Sequence, residues 1–228
     1  MKFASGFVTM ASGSMGGMTA SRNRFGRYLR ARVNPVNPGT DRQTSVRNNL
    51  ATLSIRWKQT LTDAQRSAWE TYAVNTPVVD NLGASQTLTG LNWYVACNSL
   101  RLQASLAIVD DGPTEFGLAQ LSPVSAAITA SDDTAAITFV NTDQWATEVG
   151  GALLVFGSVG KSPSISFFKG PYRYASKIAG AVSPPASPQD VVLVDNIANG
   201  QKVFLRAIAI QADGRISDPF RFSDVSAA

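Results

Sequence analysis

Five arginines, Arg22, Arg24, Arg27, Arg30 and Arg32, fall within eleven residues that contain no acidic residue. Phe25 and Tyr28 lie among them. A guanidinium offers a planar fork of donors that matches a carboxylate or a phosphate through two parallel hydrogen bonds. Aromatic rings between such cations add faces on which bases stack. Two roles follow: salt-sensitive contact with nucleic acid, or pairing with acidic surfaces of neighbouring subunits. Across residues 1–75 the arginines are interleaved with Gly, Asn and Pro rather than gathered into a Lys/Arg run. That pattern puts assembly ahead of nucleic acid as the expected role.

Other residue types that do chemistry form no recognisable set. The chain has no histidine, so the commonest general base and metal ligand is missing. A serine nucleophile therefore lacks its usual base, and no Ser-x-x-Lys motif sits at a helix start. Asp110-Asp111 and Asp132-Asp133 fall where turns are expected, and adjacent carboxylates in a loop point apart. They read as turn and cap residues rather than calcium ligands. Gly13-Ser14-Met15-Gly16-Gly17 lacks the Gly-Lys-Ser/Thr and the strand–helix context of a phosphate loop. Cys97, beside Val95, Ala96 and Leu100, reads as a small buried apolar side chain. No enzyme activity, no cofactor and no metal are expected.

The elements that must carry these residues follow from periodicity. Residues 1–39 read as an extended basic arm. Its Ser12–Met18 stretch is too glycine-rich for a helix. Tyr28, Arg30 and Arg32 alternate with Leu29, Ala31 and Val33, the period of a strand. Pro35 and Pro38 then hold the residues before them extended. An arm of this kind gains its order by packing on neighbours.

Residues 40–105 read as a small three-helix region. Thr40 or Asp41 caps a first helix whose Val46, Leu50, Leu53 and Trp57 share one face. Thr62 to Gln65 reads as a capping box. The second helix carries Trp69, Tyr72 and Ala73 on one side and ends at Asn75-Thr76-Pro77. A third starts near Leu91 with Tyr94, Val95, Asn98 and Leu102. Val46, Leu50, Leu53, Trp57, Trp69 and Tyr72 are the expected helical core, a more economical reading of the aromatics than a ligand cage.

Residues 106–122 read as a linker. Over 123–228 the helical period vanishes and short apolar runs alternate with turn signals. The runs are Ala126–Ile128, Ala135–Val140, Ala152–Phe156, Ile165–Phe168, Tyr172–Ile178, Val191–Val194, Val203–Ile210 and Ile216–Phe222. This is the pattern of an antiparallel β-sandwich. Asp213-Gly214 is the strongest hairpin signal.

Composition sets the outer limits. Only 16% of the 228 residues are charged, against roughly 25% in an average soluble chain; a low-charge surface is often one that becomes covered. Residues 1–75 carry 11 Lys or Arg and 3 Asp or Glu, a net +8, and residues 76–228 carry 9 and 13, a net −4. Such a split suits head-to-tail attraction between copies. A single cysteine excludes an internal disulfide. No membrane span and no signal peptide are expected, so synthesis in a cytoplasm and a soluble product follow.

One resemblance goes further. Gly26-Arg27-Tyr28-Leu29-Arg30-x-Arg32-Val33-Asn34-Pro35-Val36-Asn37-Pro38-x-Thr40, then Gln43 and Arg47, opens a pattern that continues beyond the first helix. Trp57-x-x-Thr60-Leu61-Thr62-x-x-Gln65-Arg66-x-x-Trp69-x-x-Tyr72-Ala73 and Leu88-Thr89-Gly90-x-Asn92-x-Tyr94-Val95-x-x-Asn98 complete it. The whole resembles a group of poorly characterised structural proteins from tailed phages, prophages and environmental bacteria, over roughly residues 13–100. The C-terminal part resembles fibronectin-III-like or immunoglobulin-like modules, through Val203-Phe204-Leu205-Arg206-Ala207 and Asp213-Gly214-Arg215-Ile216-Ser217. The immunoglobulin cysteines and core tryptophan are absent. The resemblance implies an α+β virion component, made in the host cytoplasm, whose partners are its own copies and other virion proteins. Capsid cement or decoration is the first expectation, and a tail or connector component the next.

Overall fold

The computed structural model describes residues 12–23, 26–34, 36–79 and 83–227. Among them the chain is mixed α and β, with four helices and four antiparallel sheets. β1 (Gly13–Met15), β2 (Met18–Asn23) and β3 (Gly26–Ala31) form a meander. Gly16 and Gly17, at φ 53° and 81°, make the two-residue turn between β1 and β2; only glycine adopts both values at low cost. The extended arm expected here is thus a small sheet, because the Gly-Gly turn lets the chain pair with itself.

Three helices follow. Thr40 caps α1 (Asp41–Gln59), its hydroxyl accepting from the Gln43 amide. Thr62 and Gln65 close a reciprocal capping box on α2 (Asp63–Asn75). Thr89 caps α3 (Gly90–Gln103). The short pair β4 (Val78–Val79) and β5 (Ser85–Gln86) lies between α2 and α3. The helical core gathers Leu53, Leu61, Trp69, Tyr72, Trp93, Tyr94 and Cys97, with Trp57 half-buried against it. Trp69 meets Tyr72 and Tyr94 edge-on at ring separations of 5.9 and 5.6 Å, the geometry favoured by ring quadrupoles.

Val46 and Leu50 do not belong to this core. They are 59% and 51% exposed. The face they share with Leu53 and Trp57 is real, but α2 and α3 cover only its C-terminal end.

Residues 106–122 hold no helix or extended strand, yet they are tied down. Asp110 accepts from Arg56 and Tyr94, and its carbonyl accepts from the Trp69 indole. The Asn98 side chain bonds both the amide and the carbonyl of Val109.

The rest of the chain forms two sheets. One has the order β10 (Gln189–Val192), β7 (Thr134–Thr138), β6 (Ser125–Thr129). The other has the order β12 (Phe220–Val225), β11 (Lys202–Ile210), β8 (Ala152–Gly157), β9 (Arg173–Ala179). A single-turn helix, α4 (Gln144–Thr147), buries Trp145 beside them. The two sheets share one core: Ile128, Ala135, Ile137 and Val191 from the first, Leu153, Val155, Val203, Leu205, Ala207 and Ala209 from the second.

Alternation along a strand sends the intervening residues to the opposite face. Ala152, Leu154, Ile208 and Ile210 accordingly pack against Ala104, Leu100 and Leu106 at the end of α3. β11 is therefore covered on both sides along most of its length.

Two expected strands differ. Ile165–Phe168 is loop, flanked by Pro163 and Pro171, which cannot donate to a ladder. The last strand starts at Phe220 rather than Ile216, because Asp218-Pro219 interrupts the pairing. Ile216 makes only an isolated bridge to Ile210. The hairpin turn itself forms: the Gln211 amide donates to the Arg215 carbonyl at 2.9 Å, and Gly214 sits at φ 95°.

Candidate functional site

The meander places the basic residues on two faces. Residues directly opposite in antiparallel strands share a face. Arg22 pairs with Arg27, Ala20 with Leu29 and Met18 with Ala31, while Met15 pairs with Met18. One face is thus apolar with two arginines at one end. Tyr28 pairs with Ser21 and Arg30 with Thr19, making the other face polar. Arg32 follows β3, its amide donating to the Gly17 carbonyl. Arg24 and Phe25 lie outside the described residues.

None of the described residues of 12–39 is buried. Met15 and Met18 are 87% and 47% exposed. Among the described residues, no ion pair involves Arg22, Arg27, Arg30 or Arg32. Arg22 and Arg27 stand directly across from each other, an arrangement that repels in an isolated sheet. A carboxylate or phosphate between them would turn that repulsion into attraction.

A second feature lies on the helices. The uncovered N-terminal half of α1 faces α3 and β9 across a groove of about 770 Å³. Val46, Leu50, Val95 and Leu102 give it apolar walls, with Asp41 and Tyr174 also lining it. Val46 and Leu50, expected in the interior, thus line an open groove.

Hydrogen bonds from side chains join the helices to the sheets. Arg101, buried, donates to the carbonyls of Ala107, Gly150 and Gln211 at 2.7, 3.3 and 2.9 Å. Burial holds its pKa below the usual arginine value, with Asp213 acting the other way. Lys177 of β9 donates to the Ala104 carbonyl. On the far side, the Asp110 carboxyl is held below its usual range chiefly by the hydrogen bonds from Arg56, opposed by burial. Burial pushes the Cys97 thiol far up, so it is a packing residue rather than a nucleophile. The joints at Arg101 and Asp110 leave no sequence signal, since the partners that link separate elements, Gly150, Gln211 and Arg56, lie 49 to 110 residues away.

No helix among the described residues is long and apolar enough to cross a membrane. Comparison with protein-family models, curated proteins and solved structures finds no match to this chain.

Proposed function

We propose that the protein is a non-enzymatic structural subunit of a tailed-phage virion that assembles through its N-terminal meander. The observation that carries this reading is a basic sheet with, among the described residues, no buried residue, one apolar face and two directly opposed arginines outside any ion pair. Such a sheet gains most of its stability from a neighbour. The α1–α3 groove supports the same reading, since it offers apolar walls to a second copy. Division of the arginines between two faces favours a clasp between subunits over one continuous track for nucleic acid. The absence of histidine supports a non-catalytic role. Within a virion, a capsid cement or decoration position ranks first and a tail or connector position next, because an arm with a projecting β unit suits a shell surface.

We further infer that residues 123–228 are a β-sandwich of the immunoglobulin or fibronectin-III kind. Lettered A to G in chain order, β6, β7 and β10 are A, B and E, and β8, β11 and β12 are C, F and G. An immunoglobulin domain divides those six strands between its sheets in the same way. β9 pairs with β8, so the fourth strand lies beside C rather than E.

The test is light scattering on the full chain and on a version starting at Thr40, alone and with purified shells. Higher-order species, or addition to shells, that require residues 1–39 support the reading. If both versions remain monomers and neither adds to shells, the reading is wrong.

A further inference from the structure

Residues 76–228 are acidic overall, yet five of their nine basic residues converge at one end of the C-terminal sheets. They are Lys161 and Lys169 in the loop after β8, Lys202 and Arg206 on β11, and Arg221 on β12. Segments 158–172, 202–206 and 221–223, which carry them, contain no Asp or Glu. Among the described residues, none of the five enters an ion pair.

Aromatic rings hold several of these cations in place of carboxylates. Lys161 lies 5.5 Å from the Phe168 ring and Lys202 5.4 Å from the Phe204 ring. Those two rings stack at 5.5 Å. The Arg206 guanidinium sits 4.5 Å from Phe156 and 5.4 Å from Tyr172. A ring quadrupole positions a cation without cancelling its charge, so the field of the cluster stays available to an anion. Arg206 also pairs directly across the ladder with Arg221, and its Nε is buried with no hydrogen-bond partner. Beside them a cleft of about 160 Å³ is lined by Ser166, Phe167, Tyr172, Phe204, Arg221 and Ser223, among others. Phe167 is 70% exposed at its rim.

The ligand chemistry follows from what this end offers. Cations, hydroxyls and ring faces are present, and carboxylates and carboxamides are absent from the cleft. A neutral glycan carries no charge to match the cations, and the cleft offers it none of the carboxylates or carboxamides that accept from sugar hydroxyls in pairs. A phosphodiester needs only donors, and an unpaired base needs only a ring face. Along β11, Lys202, Phe204 and Arg206 point the same way at intervals of roughly 6.6 Å, alternating cation and ring. We propose that this end of the C-terminal unit binds single-stranded nucleic acid, its phosphates on Arg221, Lys169 and Lys202 and a base on Phe167. The site is separate from the N-terminal arginines and stands whether or not those serve assembly.

The experiment is fluorescence anisotropy of a labelled 20-mer of deoxythymidine with the full chain, at low salt and across a salt series. Arg221→Glu, Lys169→Glu and Phe167→Ala alter exposed side chains, and circular dichroism checks that each variant is folded. Each variant is expected to weaken binding by about tenfold, and the charge reversals are expected to flatten the salt dependence as well. Heparin and polyphosphate, which have no bases, serve as competitors. Three results would overturn the proposal: no oligonucleotide binding at low salt; binding lost with Arg22→Glu and Arg27→Glu but unchanged in the three variants; or competitors matching the oligonucleotide with Phe167→Ala silent, which leaves only a general polyanion patch.

Discussion

The Arg101 guanidinium on α3 donates to the Gln211 carbonyl at the end of β11, 2.9 Å away and 110 residues along the chain. The same side chain holds Ala107 and Gly150, so one buried cation joins the helices to the sheet. It faces carbonyls rather than a carboxylate. Replacement by Met keeps much of the volume but strands the three oxygens. The expected loss is about 2–4 kcal/mol. In calorimetry, Arg101→Met should also separate one transition into two as the helices and sheets uncouple. A single transition at the original temperature would show that the joint carries no weight.

Asp110 makes stability depend on pH in a defined direction. Its folded pKa is depressed, mainly by Arg56, so its contribution is present above the unfolded value of about 3.9. That contribution is lost as pH falls through the lower, folded value. Asp110→Asn is expected to destabilise the protein by about 1–2 kcal/mol at pH 7, a figure kept small because Arg56 is partly exposed. The gap between wild type and variant should close below about pH 4. Urea unfolding at pH 7, 5 and 3 reads this; a gap that widens with acid contradicts it.

On α1, neighbouring positions should behave oppositely. Leu53→Ala, in the buried half, is expected to cost about 3 kcal/mol. Val46→Asp and Leu50→Lys, on the groove, should shift monomer stability by no more than about 0.5 kcal/mol while reducing self-association in sedimentation. Similar stability losses at all three sites would return Val46 and Leu50 to the core.

Gly90 marks a close approach of α3 to α2. A Cβ there would lie 2.7 Å from the Glu70 amide nitrogen and 2.8 Å from the Trp69 carbonyl carbon. Backbone cannot yield as a side chain can, so Gly90→Ala is expected to cost about 2–3 kcal/mol. The measurement is the thermal midpoint, which should fall by several degrees. An unchanged midpoint would mean that the helices can separate freely.

Local signals read best in the sequence. Thr40, and Thr62 with Gln65, act within three residues of themselves, and their caps form where the residue types put them. The alternation in Val203–Ile210 likewise fixes which side chains share a face. What periodicity lacks is knowledge of what lies opposite. Val46 and Leu50 obey the same spacing as Leu53, yet among the described residues no element covers them. On the second face of β11, Ile208 and Ile210 are covered by the end of α3, which alternation alone does not signal. Phe167 and Phe168 resembled a strand by hydrophobicity, whereas the prolines around them make a loop that folds its rings over the sheet. The cationic end was invisible because its members come from segments scattered over about sixty residues, each unremarkable alone.

The double coverage of β11 has a consequence for how the chain is made. The helical core from Leu53 to Cys97 is synthesised well before Lys202–Ile210, the strand on which the end of α3 rests. At ribosomal rates of about 5–20 residues per second, the helices wait roughly 5–20 s for that support. During this interval Leu100, Ala104 and Leu106 remain uncovered, a nascent-chain window open to chaperones and proteases. The strand that pairs with β8 and later receives β12 also ends that exposure.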